Sequence, residues 1–221
     1  MSEVPRPVVA VLFDLDGVIV DTAKYHYLAW KRLADSLSVH FDERHNEALK
    51  GIDRLRSLDL LLGAEAPRVP AAEKQRLADL KNRWYVQSLY SIDAADLLPG
   101  AREALEQVRR AGVKTGLVSA SRNAPAVLDR LGVADQFDTI ADPADIPRGK
   151  PAPDIFLAAA QALEAKPETC LGIEDAAAGV AGLKAAGMAV LGVGDPQVLQ
   201  HADWVIPDLT HFRFSAYRSP A

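Results

Sequence analysis

The sequence predicts an α/β protein with a doubly wound parallel sheet, into which a helical segment is inserted after the first strand. Through the second half of the 221-residue chain, short apolar runs alternate with helical patterns, as expected for parallel strands joined by helices. The first apolar run, 8–13, ends at acidic residues and a glycine, which is typical of a buried strand followed by a turn. Residues 21–96 contain helical patterns and no candidate strand. We therefore expect a core domain formed by 1–20 and 97–221, and a helical domain formed by 21–96.

The individual elements follow from apolar periodicity and from residues that begin or end helices. Thr22 is expected to cap a helix over 23–37, whose apolar residues recur at helical spacing. Gly187 closes the last helix, and 64–70 is a loop rich in helix breakers. The predicted helices are 23–37, 43–50, 53–62, 70–90, 101–111, 124–131, 154–163 and 176–186. The predicted strands are 8–13, 113–118, 137–140, 169–173, 188–193 and 204–206.

Composition excludes several classes of protein. The net charge of -5 disfavours broad nucleic-acid binding. A single cysteine, Cys170, cannot form an internal disulfide or a cysteine metal cluster. No apolar stretch approaches the ~20 residues of a membrane span, and residues 1–7 lack the apolar centre of a signal peptide. We expect a cytoplasmic protein with no membrane or nucleic-acid partner, and nothing in the sequence requires more than a monomer.

Two carboxylates follow the first strand. Asp14 and Asp16 are two positions apart, so in an extended chain they point to the same side, with about 7 Å between their Cα atoms. Paired acids repel each other and require a cation or a shared proton. A carboxylate can also attack phosphorus as a nucleophile. The alternative is an acidic turn after a core strand, because Asp-x-Asp-Gly also suits turn chemistry, and this stretch alone does not separate the two.

Polar clusters follow the other strands as well. The segment 119–123 comes after the second strand, Lys150 after the third, and Glu174 and Asp175 after the fourth. Because the carboxyl ends of parallel strands share one edge of a sheet, these groups should lie near Asp14. Carboxylate oxygens suit Mg²⁺, while a lysine and a helix N-terminus suit phosphate. Each group alone has a structural interpretation as a cap or a solvated loop residue, but together they favour phosphoryl transfer.

These motifs resemble those of the haloacid dehalogenase superfamily of phosphotransferases. The carrying residues are Asp14-Leu-Asp16-Gly17-Val, Ser119, Lys150-Pro151 and Glu174-Asp175. The resemblance covers nearly the whole chain and implies a Rossmann-like core, with the helical segment as the cap domain of the family. Within the superfamily the sequence is most similar to sugar phosphomutases. The stretches that carry this similarity are 13–26, 49–54, 119–123, 141–145 and 150–156.

The resemblance implies a role for each core residue. Asp14 would be the nucleophile that becomes an aspartyl phosphate, and Asp16 the general acid and base, with its backbone carbonyl on the metal. Ser119 and Lys150 would hold the transferring phosphoryl group, and Glu174 and Asp175 would complete the Mg²⁺ site. The implied catalytic residues are Asp14, Asp16, Ser119 and Lys150. The implied metal ligands are Asp14, Asp16, Glu174 and Asp175.

The same resemblance implies a second set of residues that contact sugar or its distal phosphate, or that couple cap closure to Asp16. This set is Thr22, His26, Lys50, Gly51, Ile52, Arg54, Ser57, Lys81, Ala120, Ser121, Arg122 and Asn123. A mutase that works through a bisphosphate must grip two phosphates, and Lys50 with Arg54 can supply the second grip. The alternative is that this i,i+4 pair only solvates a helix. Gly51 weakens that alternative because it interrupts the helix and frees backbone N–H groups.

The resemblance to sugar phosphomutases implies a Mg²⁺-dependent interconversion of β-D-glucose 1-phosphate and glucose 6-phosphate through β-glucose 1,6-bisphosphate. Its partners would be the sugar phosphate and the sugar bisphosphate. A phosphatase of the same fold, acting on a small phosphate ester, is the first alternative. A phospho-accepting signalling module is the second, although a large cap argues against it. The sequence departs from its relatives at Arg122, where lysine is common, and in a tail without a long terminal helix.

Overall fold

The computed structural model describes residues 7–217. Its centre is a six-stranded sheet in which every neighbouring pair is parallel. The strands are β1 (Ala10–Phe13), β2 (Lys114–Val118), β3 (Thr139–Ala141), β4 (Cys170–Glu174), β5 (Ala189–Val193) and β6 (Trp204–Ile206). They are ordered β3-β2-β1-β4-β5-β6. Strands β2 and β3 therefore lie on one side of β1, and β4, β5 and β6 lie on the other. This order confirms the doubly wound class, in which ligands bind at the carboxyl end of the strand where the order reverses, here β1.

Eight α-helices accompany the sheet within the described residues. They are α1 (Ala23–Ser36), α2 (Glu43–Glu47), α3 (Arg54–Leu62), α4 (Ala71–Leu89), α5 (Ala101–Arg110), α6 (Ala124–Leu131), α7 (Asp154–Ala162) and α8 (Ala177–Ala185). The first four follow β1 without an intervening strand, as the sequence predicts. None of the helices in the described part of the chain is long and apolar enough to cross a membrane.

Many predicted boundaries differ from the structure by one or two residues, and the differences at α2, at residues 64–70 and at β3 show where the prediction failed. Helix α2 ends at Glu47 rather than at residue 50, because the chain turns into Gly51, whose φ of +70° leaves the helical region. Most of the predicted loop 64–70 belongs to a 3₁₀ helix, Gly63–Arg68. Strand β3 starts at Thr139 because the preceding Asp138 uses its carboxylate to accept the N–H of Thr115, at 2.7 Å. The pairing of that stretch with β2 is therefore partly made by a side chain.

The predicted capping role of Thr22 is wrong. Its hydroxyl donates to Asp16 Oδ1 and makes no bond to the start of α1. The carboxylate of Asp21 accepts the N–H of Ala23 instead, at 2.9 Å. Thr22 is fully buried beneath Asp16, so the packing of the site, and not the helix terminus, decides where its hydroxyl points.

Alternation along β1 divides the core into two layers. Val11 and Phe13 face one apolar cluster, whereas Ala10 and Leu12 face another. The inserted helices have a cluster of their own, whose buried members include Trp30, Leu33, Phe41, Leu58 and Leu77. This separate cluster is what an independent cap would need, but the boundaries at 20/21 and 96/97 stay a prediction.

The C-terminal segment after Phe212 forms a short 3₁₀ helix, Phe214–Ala216. Through residue 217 no long terminal helix is present, as the sequence predicts; the last part of that prediction, 218–221, lies outside the described residues. Phe212 stacks on Tyr217, with ring centroids 5.6 Å apart, and this aromatic contact closes the core beside β6.

Candidate active site

A cavity of about 620 Å³ lies between the carboxyl edge of the sheet and the inserted helices. Its lining contains nearly all of the predicted site residues, drawn from both sides. From the sheet side these are Asp14, Asp16, Ser119, Ala120, Ser121, Arg122, Asn123, Lys150 and Asp175. From the helical side they are His26, Lys50, Gly51, Ile52, Arg54, Ser57 and Lys81. Two predicted residues, Thr22 and Glu174, do not line the cavity and are buried behind it.

The turn after β1 brings two acidic segments together. Asp14 continues the strand and donates its N–H to the carbonyl of Ile173, at 3.0 Å. The chain then turns at Gly17, whose φ is +78°. A Cβ at this position would lie only 2.0 Å from Asp175 Oδ2, so only glycine lets the first acidic loop approach the second.

A buried ammonium joins two of the carboxylates. Lys150 Nζ lies 2.7 Å from Asp14 Oδ1 and 2.5 Å from Glu174 Oε1, and the lysine side chain is only 1% exposed. The other oxygen of Glu174 accepts the N–H groups of Asp175 and Ala176, at 2.9 and 3.0 Å. Burial opposes the charged lysine, but the carboxylates of Asp14 and Glu174 outweigh it and raise the pKa of Lys150.

The acidic group carries more negative charge than Lys150 can neutralise. Oxygens of Asp14, Glu174 and Asp175 all lie within 4.8 Å of one another. Burial raises the pKa of Asp175 to about 9, with a further contribution from Glu174 and Asp14. Burial also raises the pKa of Asp14 to about 7, against the opposing effect of Lys150. Carboxylates that resist ionisation in this way are poised to accept a cation, and three oxygen donors suit a hard one.

Asp16 is held by a chain of hydroxyl groups. Thr22 donates to Asp16 Oδ1, and Tyr85 of α4 donates to Thr22 Oγ1 at 3.4 Å. Burial raises the pKa of Asp16, while the Thr22 bond opposes the shift. The hydrogen bond from Thr22 therefore fixes the orientation of the Asp16 carboxyl group and limits the rise of its pKa, which favours acid–base exchange. Thr22 contacts Asp16 and does not line the cavity, so its contact with substrate stays a prediction.

The helical wall presents a buried lysine and a half-buried histidine. Lys81 Nζ lies 2.7 Å from His26 Nδ1, and the His26 ring stacks on Tyr85 with centroids 4.0 Å apart. Burial lowers the pKa of Lys81 to about 7, and Arg54 lowers it further. Burial and Lys81 also hold the pKa of His26 well below its usual value. A neutral imidazole that accepts from Lys81 follows from these shifts.

We expect Lys81→Met to stabilise the protein by about 1–2 kcal/mol at pH 6. The native pKa of Lys81 is lowered to about 7, so below that pH the folded state must bury a charged ammonium. At pH values between the native and unfolded pKa of Lys81, the unfolded state binds one proton more than the folded state. The destabilisation caused by burying Lys81 therefore decreases as pH rises. Urea unfolding at pH 6 and pH 10 should show a gain that shrinks with pH. Lys31→Met, in an exposed pair with Asp35, is the reference, and a gain independent of pH would contradict the expectation.

Two arginines from opposite walls line the same cavity. Arg54 begins α3, and Arg122 lies in the loop between β2 and α6. Burial lowers the pKa of Arg54; the nearby Asp79 opposes this shift, and the positive charge of Arg122 adds to it. The Arg54 guanidinium lies 3.9 Å from Asp79 Oδ1, too far for a strong pair. Two guanidinium groups in the lining of one cavity offer a binding position for an anion.

The loop 119–123 is ordered by its own hydroxyls and by a contact with the helical wall. Ser119 Oγ accepts the N–H of Ser121, at 3.1 Å. Asn123 Nδ2 donates to Asn82 Oδ1 across the cavity, at 2.9 Å. Sequence reasoning missed Asn82, although it is adjacent to Lys81 on α4. The available signal was helical spacing, because positions 78, 81, 82 and 85 lie on one face.

Comparisons with known proteins agree with this geometry. Residues 8–187 match the family described as haloacid dehalogenase-like hydrolase, and the chain belongs to that family. It is similar to the β-phosphoglucomutase of Bacillus subtilis, with 46% identity over 95% of this chain and 96% of that protein. A crystal structure of β-phosphoglucomutase from Clostridium difficile superimposes with a TM-score of 0.93, at 42% identity over 95% of both chains. A phosphorylated carbohydrates phosphatase of Thermotoga maritima is 31% identical over 81% of this chain and 82% of that protein.

Proposed function

We propose that this protein is a phosphomutase that interconverts β-D-glucose 1-phosphate and glucose 6-phosphate through β-glucose 1,6-bisphosphate. The observation that carries the proposal is the presence of two cationic positions in one cavity. Lys150 lies beside Asp14 at the sheet edge, whereas Arg54 and Arg122 supply positive charge from two other segments of the cavity lining. A substrate with a phosphate at each end of a sugar would engage both positions, and a singly phosphorylated one would leave a position unused.

The reaction uses the two aspartates in sequence. A phosphoryl group carried on Asp14 passes to the 6-hydroxyl of β-glucose 1-phosphate, and Asp16 accepts the proton of that hydroxyl. The bisphosphate then presents its 1-phosphate, which Asp14 takes as the C1 oxygen leaves. Asp16 returns the proton to that oxygen and glucose 6-phosphate is formed. A carboxyl group whose pKa is raised by burial suits both halves of this exchange.

Mg²⁺ is the proposed cofactor. The carboxylates of Asp14, Glu174 and Asp175 would hold the ion, together with the backbone carbonyl of Asp16. All four are hard oxygen donors, and oxygens of the three carboxylates lie within 4.8 Å of one another. The ion would neutralise charge on the transferring phosphoryl group. Ser119 and Lys150 would bind that group's other oxygens. Every group named so far comes from a single chain, so we propose that a monomer suffices.

The inserted helices are proposed to act as a cap that closes on the sugar. Gly51 lies in the loop before α3. A Cβ added to Gly51 would lie 3.4 Å from the Ala176 side chain, so this loop already lies close to the segment that follows β4. Asn82 and Asn123 meet across the cavity. Closure of this kind excludes water, which would otherwise hydrolyse the aspartyl phosphate. His26, Lys50, Ser57 and Lys81 would then contact the sugar and its distal phosphate.

A phosphatase acting on a small sugar phosphate is the second candidate. It is favoured by the similarity to the carbohydrate phosphatase of Thermotoga maritima and needs only the machinery around Asp14. The two functions differ in the acceptor of the phosphoryl group, a sugar hydroxyl in one case and water in the other. The arginines that would hold the distal phosphate are therefore the residues whose loss should distinguish them.

We expect Arg54→Ala to lower kcat/KM for isomerisation by about 10–100-fold, the equivalent of losing one or two charge-assisted hydrogen bonds to phosphate. The assay is NMR of β-glucose 1-phosphate with a trace of bisphosphate primer and Mg²⁺. Glucose 6-phosphate should accumulate with the unmodified protein. Arg56→Ala is the matched control, because Arg56 lies on the same helix, is exposed and does not line the cavity. Glucose and inorganic phosphate as the main products of the unmodified protein would instead establish the phosphatase.

A further inference from the structure

Three metal-ligating side chains meet outside the cavity, in the segment between α1 and α2. His40 Nε2 lies 3.3 Å from Asp42 Oδ2, and His45 Nδ1 lies 2.6 Å from Asp42 Oδ1. One ligand atom from each residue falls within 4.8 Å of the other two. All three side chains are open to solvent, with exposures of 80%, 44% and 53%. None of them lines the catalytic cavity.

We propose that His40, Asp42 and His45 form a second metal site, which binds a divalent transition-metal ion of the zinc, nickel or copper class. Two imidazoles and a carboxylate are the donor set that such ions prefer. Metal–ligand distances of about 2.0–2.2 Å in a tetrahedral site place the ligand atoms about 3.4 Å apart. The His40–Asp42 separation of 3.3 Å is close to this value, whereas the His45 ring, now 2.6 Å from Asp42 Oδ1, has to move outward to admit an ion. Three protein ligands leave the fourth position for water.

The site is built by local structure that already fixes its members. Asp42 is the N-cap of α2, and its Oδ1 accepts the N–H of His45 at 3.0 Å. Phe41 is 3% exposed and anchors the chain in the apolar cluster of the inserted helices. The two imidazole rings are 5.4 Å apart and nearly perpendicular. The ligands therefore need only side-chain adjustment to close on an ion, and little backbone ordering opposes binding.

The simplest alternative is an Asp-x-x-His helix cap without any ligand. The chain contains such a pair at Asp208 and His211, where His211 Nδ1 lies 3.2 Å from Asp208 Oδ1. That pair has the same spacing, but the described residues include no third metal-ligating group beside it. His40 is what distinguishes the first cluster from the second. The second pair is thus an internal reference for what capping alone can bind.

The two metal sites of the protein should select different ions. The cluster at the sheet edge offers carboxylate oxygens only, which suit Mg²⁺, whereas the His40 site offers two nitrogens. An ion bound at the His40 site would join the end of the α1–α2 connection to α2. That helix leads into the loop that carries Lys50 and Gly51, so binding should stabilise the helical segment.

The test is a Co²⁺ titration of the tag-free full chain in saturating Mg²⁺, followed by visible absorption, with displacement by Zn²⁺. The unmodified protein should develop the intense bands of four-coordinate Co²⁺. His40→Ala and His45→Ala should each weaken binding by at least roughly tenfold, since even outer-shell losses cost about 10–100-fold. His211→Ala should bind as the unmodified protein does. Circular dichroism confirms that each variant is folded.

Two results would overturn the proposal. One is an unmodified protein that develops no such bands and shows no Zn²⁺-dependent rise in Tm. The other is a His40→Ala variant that binds Co²⁺ as tightly as the unmodified protein, which would reduce the cluster to a helix cap. Neither result bears on the mutase assay, because that assay depends on the cavity and on Mg²⁺.

Discussion

Lys150→Met should lose about 3–5 kcal/mol of unfolding free energy in Mg²⁺-free buffer, together with its activity. The side chain is 1% exposed and its ammonium lies between Asp14 and Glu174. Without it, two buried carboxylates face each other with no counter-charge, and desolvation of an unpaired buried charge is costly. This is the largest stability effect that we expect from a single substitution in the protein.

The loss should depend on pH and on Mg²⁺. The native pKa of Asp14 is already raised to about 7, and removal of the lysine raises it further. The folded state of the variant therefore binds more protons than the unfolded state, so its stability falls as pH rises. The deficit should be greater at pH 8 than at pH 5. Saturating Mg²⁺ should restore part of it, because the ion binds the folded state and supplies the missing positive charge.

Lys184→Met is the control for this experiment. Lys184 also lies 2.7 Å from a carboxylate, Asp203, but both side chains are exposed to solvent, at 42% and 35%. Such a surface pair contributes about 0–1 kcal/mol. Urea unfolding in EDTA, followed by circular dichroism, compares the two variants. Equal losses in both would mean that burial of Lys150 is not the source of its effect.

Asp16→Ala should lower turnover by about 10²–10⁴-fold while leaving the first phosphoryl transfer to Asp14 detectable. In the proposed mechanism, capture of a phosphoryl group by Asp14 should be slower without the Asp16 proton but still occur, because Lys150 lies 2.7 Å from Asp14 and the carboxylate group of Asp14, Glu174 and Asp175 does not include Asp16. Return of the group to a sugar hydroxyl needs a base that removes the hydroxyl proton. The variant should therefore accumulate aspartyl phosphate when it is mixed with the bisphosphate.

The measurement is intact-protein mass spectrometry after mixing with stoichiometric bisphosphate, alongside the NMR assay of turnover. Asp21→Asn is the control, because Asp21 is a neighbouring carboxyl group that also lines the cavity. It caps α1 and has no proposed part in proton transfer, so turnover should change only a few-fold. Normal turnover by Asp16→Ala would remove Asp16 from the mechanism.

The fold was predictable from sequence because its elements repeat a simple pattern. Buried strands such as β1 and β4 are continuous apolar runs that end in acidic residues, and the signal is local. Boundaries were less predictable where a side chain replaced a backbone partner, as Asp138 does before β3. The placement of Asp14, Ser119, Lys150 and Asp175 around one cavity followed from topology alone, since parallel strands share a carboxyl edge.

The role of Thr22 was not predictable in the same way. A threonine before a helix is favoured as a cap by its local sequence, and only the packing of Asp16 against α4 turns its hydroxyl toward the carboxylate. Tyr85 and Asn82 reach the site for the same reason, because they lie on the face of α4 that meets the sheet edge. Their contacts join residues 63 and 41 positions apart in the chain, and no local pattern encodes such pairs.

The sequence by itself determined which chemical groups the protein has and the edge of the sheet at which they gather. Periodicity and strand ends are short-range properties, so a single chain reveals them. Only the tertiary structure decided which groups are paired, which are buried and which remain open to a ligand. Lys150 is held by residues 136 and 24 positions away, and Lys81 and His26 owe their lowered pKa values to burial between helices. Desolvation and pairing depend on neighbours in space, and those exist only once the chain has folded.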